Sequence, residues 1–337
     1  MKRLLLTFIA LVIGFAAMPF SANAAPITLT YSCFFPPTHV QSKLAEAWCK
    51  EVEKRTDNKI KISYFPGGTL TKAKQCYDGV VEGISDIGLS ALAYSRGRFP
   101  TMAAVDLPLG YKSGTAATKV ANEVYEKFKP KEFNDVAPMY FHAHGPGLLF
   151  TAKTPVKTLE DLKGLKLRGT GNCAELIKIL GGAPVAMSMP DSYQAIRKGV
   201  VNGGMYPMES NKGWKMADVV DYCTLDFPVG YTTTFFIVMN KDKWNSIPAD
   251  LQKIITEINK EWAKKHGQAW DESDAVGKEF LTKKGGKFIT LSKAEGARWK
   301  EKAAPMMDKY VKVTNSKGLN GKEILDFTVQ SLKKCNN

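Results

Sequence analysis

The chain has 337 residues, 44% of them apolar and 24% charged, and a formal net charge of +14 at neutral pH. That length allows two domains with buried cores, and the absence of short-period repeats or low-complexity stretches excludes solenoids and disorder. Such basicity suggests nucleic acid, but lysines alternate with acids, as in Glu51-Val52-Glu53-Lys54-Arg55, and no Arg-rich block carries interleaved aromatics, so a solvated basic surface is predicted and no nucleic-acid partner.

In chain order, Lys2 and Arg3 precede an apolar run from Leu4 to Phe20 and then Ser21-Ala22-Asn23-Ala24. A basic start, an apolar stretch and small residues at an A-x-A site predict a secretory signal peptide over residues 1–24, cleaved after Ala24. An uncleaved anchor is the alternative, for which the run sits at the lower length limit. No cysteine lies at the cleavage site and no later segment is apolar enough to span a bilayer, so the expected product is exported and soluble. Ile27–Tyr31 reads as a strand, His39–Arg55 as an amphipathic helix, Lys59–Tyr64 as a strand, Thr71–Glu82 as a helix and Ile84–Leu89 as a strand. Ala116–Phe128 continues as a helix and Val136–His142 as a strand. This β-α-β-α rhythm predicts an α/β fold on a mainly parallel sheet. A second unit of the same kind starts near Thr154-Pro155, with a short helix at Leu159–Leu162, a strand at Lys166–Arg168 and a helix at Ala174–Leu180. Pro184–Met187 follows as a strand, Ser192–Lys198 as a helix and Phe235–Met239 as an apolar strand. A proline-free helical pattern from Leu251 to about Leu281 is long enough to act as a spine shared by both domains.

The six cysteines (33, 49, 76, 173, 223, 335) contain no C-x-x-C pair, which excludes thioredoxin-type and paired-cysteine zinc motifs. An oxidising compartment predicts one or two structural disulfides, in a pairing the sequence leaves open. His142 and His144 share a strand face without an acidic or cysteine partner at ligand spacing, and read as packing or solvent-facing residues. G-x-S-x-G, H-E-x-x-H and P-loop motifs are absent, so no metal site and no enzyme activity is predicted.

Around Gly169-x-Gly171-x-x-Ala174, with Asp191 downstream, the chain approaches a dinucleotide fingerprint. A dinucleotide-binding first strand is buried on both faces and continuously apolar, whereas Leu165-Lys166-Leu167-Arg168 alternates. No cofactor is predicted. Arg168 instead stands at a strand's C-terminal end, where α/β folds open their ligand crevices, and its fork of donors matches a carboxylate.

Asp161-Leu162-Lys163-Gly164-Leu165-Lys166-Leu167-Arg168 resembles the D-x-K-G-x-K-x-R signature of the extracytoplasmic solute-binding proteins of tripartite ATP-independent periplasmic (TRAP) transporters. Gly182-Ala183-Pro184-Val185, Asp191-x-Tyr193-x-Ala195-Ile196 and Gly199-Val200-Val201-Asn202-Gly203 continue the resemblance, and Trp244-Asn245-Ser246-Ile247-Pro248 extends it downstream. The resemblance implies a two-lobed periplasmic binding protein fold with hinge strands and a long helix spanning both lobes. Lobe I is expected over 25–145 plus about 236–275, and lobe II over 146–235 plus about 276–330. It further implies a periplasmic protein that closes on an organic acid and delivers it to TRAP membrane permease subunits, with Arg168 holding the ligand carboxylate; a monomer is the default expectation. The position of a second arginine in sialic-acid-type members is Leu148 here, and the usual asparagine is replaced by Tyr206. By the same resemblance Phe34, Phe35, Thr38, Ala91, Tyr94, Met189 and Thr232 line the pocket. That largely apolar inventory predicts a monocarboxylate with an apolar or aromatic body. A small C4-type dicarboxylate or a 2-oxo acid is the alternative, and an exported α/β enzyme acting on a carboxylate the remote one.

Overall fold

A computed structural model describes residues 25–336; the predicted signal peptide and its cleavage site lie outside the described residues. The first sheet is built from β1 (Ile27–Cys33), β2 (Ile60–Phe65), β3 (Ile87–Ala91), β4 (Val136–Ala143) and β10 (Thr234–Asn240). Its order is β2-β1-β3-β10-β4. The second contains β5 (Gly147–Thr151), β6 (Lys166–Gly169), β7 (Ala183–Ala186), β8 (Gly203–Pro207), β9 (Tyr222–Leu225) and β11 (Lys287–Thr290), in the order β11-β9-β5-β8-β6-β7. Each sheet is mainly parallel, as expected, with one reversed strand. In the first, β10 runs antiparallel to both neighbours, and in the second β5 does. Both odd strands have just crossed from the other lobe.

The helices are α1 (Val40–Arg55), α2 (Cys76–Val81), α3 (Gly114–Phe128), α4 (Gly171–Leu180), α5 (Met189–Arg197) and α6 (Ser210–Gly213). After them come α7 (Lys241–Ser246), α8 (Ala249–Lys283), α9 (Lys293–Ala303), α10 (Pro305–Asn315) and α11 (Gly321–Asn336). Local chemistry sets their ends. His39 caps α1 by accepting from the Gln41 N–H, and Ala45, Trp48, Cys49 and Val52 repeat at helical spacing to bury one face. Asp57 and Asn58, at φ 49° and 60°, then turn the chain into β2, in the left-handed region such short polar side chains tolerate. Ser113 caps α3 by accepting from the Ala116 N–H.

Four apolar clusters organise the molecule. Leu29, Tyr31 and Trp48 pack with Ile255, Ile258 and Trp262 of α8 on one face of the first sheet. Val120, Val124, Phe141 and Phe236 pack on the other face, joined by Leu332 of α11. In the second lobe Leu149, Leu167 and Leu176 pack with Trp299 and Met306. Phe150, Ile196, Tyr206 and Met216 pack with Leu281 of α8. The 35-residue α8 therefore donates its first half to one lobe and its last turns to the other. Beside it, the β4–β5 and β9–β10 connections run past each other, with the Gly147 N–H donating to the Tyr231 carbonyl at 2.8 Å. A β-carbon on Gly147 would sit 2.1 Å from the Tyr231 ring, so glycine is what lets the two hinge strands meet.

The expected disulfides do not form. All six cysteines are free and five are buried. They are distributed over all four apolar clusters, where each packs as a small apolar side chain.

Candidate functional site

Strand β6 alternates as the sequence implied: Lys166 faces solvent, Leu167 enters the core and Arg168 points inward, 4% exposed. Its Nε donates to the Met187 carbonyl at 3.2 Å and Nη1 to the Met205 carbonyl at 3.1 Å. Among the described residues it forms no ion pair and faces no carboxylate within hydrogen-bond range. A buried guanidinium served by carbonyls and no anion is an uncompensated charge, costly unless an anion joins it.

Two phenols gather at this cation. Tyr206, on β8, stacks on Phe150 with centroids 4.4 Å apart and planes 3° from parallel, and its buried hydroxyl has no hydrogen-bond partner. Tyr94, just after β3 in the other lobe, accepts from the Met189 N–H at 3.0 Å. Burial raises the pKa of Tyr94 while the Arg168 charge opposes, so it stays protonated at neutral pH with its hydrogen free to be donated. Three groups from three elements thus present donors without acceptors.

Aromatic rings enclose the rest. Phe34 and Phe35, in the turn from β1 to α1, lie 4.1 Å apart. Phe34 stacks on Trp214 at 6.0 Å, and Phe235 stacks on Trp270 of α8 at 5.4 Å. His144 completes the wall. Burial, with the Arg168 charge assisting, lowers its pKa to about 4, so it is neutral at pH 7. Its Nδ1 lies 2.6 Å from the Gly145 carbonyl, which assigns the ring proton there and leaves Nε2 as an acceptor. The enclosed space is about 30 Å³, room for roughly two waters.

The lobes meet through polar contacts around this cavity. Besides Tyr94 and Met189, Thr170 Oγ1 donates to the Ala93 carbonyl at 3.3 Å and Asn172 Nδ2 to the Ala103 carbonyl at 2.8 Å. A larger hollow of about 250 Å³ lies farther along the seam. It lacks Arg168, and its Lys309 is already paired with Glu175 at 2.6 Å. Size alone does not identify the site, and the unsatisfied cation does. Among the described residues no His, Cys, Asp and Glu group is arranged to hold a metal ion.

Of the residues expected at the site, Arg168, Tyr206, Phe34, Phe35, Tyr94 and Met189 come together around this cavity. Four do not. Thr38 is exposed in the turn before α1. Ala91 ends β3 opposite Phe235 and packs in the core. Leu148 points into the core of the second lobe, because β5 presents it there beside Phe150 and Met208. Thr232 donates to the His144 carbonyl at 2.6 Å, and its neighbour Thr233 takes the lining position instead. A one-residue offset in an extended segment is enough to exchange faces. The sequence reading missed His144, Thr170, Glu209, Ser210, Trp214, Tyr231, Phe235 and Trp270, all in the cavity wall. His144 and His142 are both buried, neither facing solvent; His142 stacks on His266 at 4.4 Å.

Residues 31–313 match the family described as bacterial extracellular solute-binding protein, family 7. A TRAP periplasmic solute-binding protein of Desulfovibrio salexigens, solved as an open complex, is 33% identical; the match covers 92% of this chain and 97% of that one, at a TM-score of 0.81. A marine-metagenome TRAP solute-binding protein specific for aromatic acid ligands, solved with 3-hydroxybenzoate, is 26% identical over 93% of this chain and 100% of its own, at a TM-score of 0.88. The C4-dicarboxylate-binding periplasmic protein of Rhodobacter capsulatus is also 26% identical, over 87% of this chain and 89% of its own.

Proposed function

The chain belongs to family 7 of the bacterial extracellular solute-binding proteins, the TRAP type, and from that premise we propose that its cargo is a monocarboxylate with an apolar or aromatic body. The observation that carries this reading is the buried, unpaired Arg168 beside the unsatisfied hydroxyl of Tyr206. The ligand carboxylate takes the free guanidinium N–H groups and the Tyr206 hydrogen, and the Phe34, Phe35, Trp214 and Trp270 rings cover the body. Tyr94 arrives from the first lobe with a further donor, so the full set exists only when the lobes are together. A ligand that touches both lobes favours the closed state by its differential affinity.

Identity does not choose the acid class, because relatives named for aromatic acids and for C4-dicarboxylates are equally distant. The cavity wall favours the former. It contains a single arginine, and a second carboxylate would meet aromatic rings and Glu209. We place the protein in the periplasm as a monomer that hands its acid, chemically unchanged, to TRAP permease subunits. The test is a thermal-shift screen with calorimetry on phenylacetate, indole-3-acetate, 4-methyl-2-oxopentanoate and succinate, since a tight ligand raises the melting temperature by mass action. Aromatic acids are expected to bind and to resist displacement by succinate. Preferential binding of succinate would overturn the reading.

A further inference from the structure

Resting on the carboxylate-capture reading, we propose that the acid this cavity takes also carries a hydrogen-bond donor away from its carboxylate, and that Glu209 receives it. Glu209 follows β8, lines the cavity and is 2% exposed. Its carboxylate is poorly served by the protein. Ser210 Oγ approaches one oxygen at 3.4 Å, near the outer limit of a hydrogen bond. His39 Nε2 lies 2.8 Å from the other, but that nitrogen makes no aligned hydrogen bond.

His39 is also engaged elsewhere: its Nδ1 accepts from the Gln41 N–H at 3.2 Å as the cap of α1. Arg168 lines the same cavity without forming an ion pair with Glu209, so the two opposite charges are more than 4.0 Å apart. The cation lacks an anion, and the carboxylate has only a misaligned imidazole and a long hydroxyl contact, in one cavity walled by Phe35, Trp214 and Trp270. An acid bearing only its carboxylate satisfies the first and leaves the second buried and unmet. An acid bearing a hydroxyl or ammonium group as well satisfies both.

The experiment is calorimetry on the mature chain with phenylacetate, 3-hydroxyphenylacetate and 4-hydroxyphenylacetate, repeated on E209Q after its melting temperature shows that it folds. A hydrogen bond to a buried charge corresponds to roughly 10- to 100-fold in affinity, so at least one hydroxylated acid is expected to bind wild type about 10-fold or more tighter than phenylacetate. In E209Q that preference falls below roughly three-fold. Hydroxylated acids binding wild type no tighter than phenylacetate overturn the inference without any variant, and so does a preference that survives in folded E209Q. Absence of binding by all three overturns the carboxylate-capture reading as well, so the two failures are distinguishable.

Discussion

Arg168 offers five N–H groups, and backbone carbonyls use two of its nitrogens. The remaining donors have no other evident purpose in the fold. Truncation of one partner in a buried charge pair costs on the order of 2–5 kcal/mol, so Arg168→Ala should weaken binding of the cognate acid roughly 30-fold to several thousand-fold. Arg168→Lys should also bind poorly, because a point charge cannot reproduce the planar fork. Calorimetry returning wild-type affinity for either would remove Arg168 from the site. A second residue-scale expectation concerns Asp226. It is fully buried, accepts from the Leu149 N–H at 3.2 Å, and its other oxygen has no partner. Burial pushes its pKa up to about 7, against about 3.9 in an unfolded chain. Between those values the unfolded state ionises first, so this group's contribution to stability declines as pH rises from about 4 to 7 and is level beyond. Asp226→Asn keeps the accepting oxygen and removes the titration. Its stability advantage over wild type should grow across that window, on the order of 4 kcal/mol in full. Urea melts at pH 4.5 and 7.5 giving the same difference would refute it. At this scale the sequence disclosed Arg168 because a cation in a strand next to glycines is conspicuous. Glu209 and Trp270 were hidden. One lies in the short β8–α6 turn, which has no periodicity, and the other sits on α8 at a spacing from Trp262 that any core-facing helix would show.

Among the elements, α8 was legible almost to its ends, because a long apolar repeat without proline has one reading. The direction of β10 and β5 was not. Period-two patterning reports which face is buried and says nothing of which way a neighbour runs. Strand β5 itself was overlooked, since Gly147–Thr151 is a continuously buried run that carries no alternation. Where α8 passes the β8–α6 turn, a β-carbon on Gly277 would lie 2.2 Å from the Met208 carbonyl oxygen. Backbone cannot yield as a flexible side chain does, so Gly277→Ala should destabilise the fold by about 1–3 kcal/mol despite alanine's higher helix propensity. The midpoint of chemical unfolding measures this; an unchanged or raised midpoint would show that α8 and the β8–α6 turn are not in close contact.

For the whole molecule, the lobes are joined at one end by two strands and α8 and at the seam by Tyr94, Thr170 and Asn172. The six thiols give a readout of global integrity. Five are buried and Cys335 is partly exposed; burial raises the pKa of Cys33 and Cys76 to about 11 and 12. Ellman's reagent should titrate at most about one thiol quickly in the native protein and all six in denaturant without a reductant. Fewer than six in denaturant would mean that bridges form after all.

The place of β10 between β3 and β4 has a consequence for how the protein is made. Strands β3 and β4 share no pairing of their own. Although most of the first sheet is encoded before residue 145, it stays split until Thr234–Asn240 has left the ribosome. The β2-β1-β3 part and β4 are thus joined into one sheet only by a strand made late in synthesis.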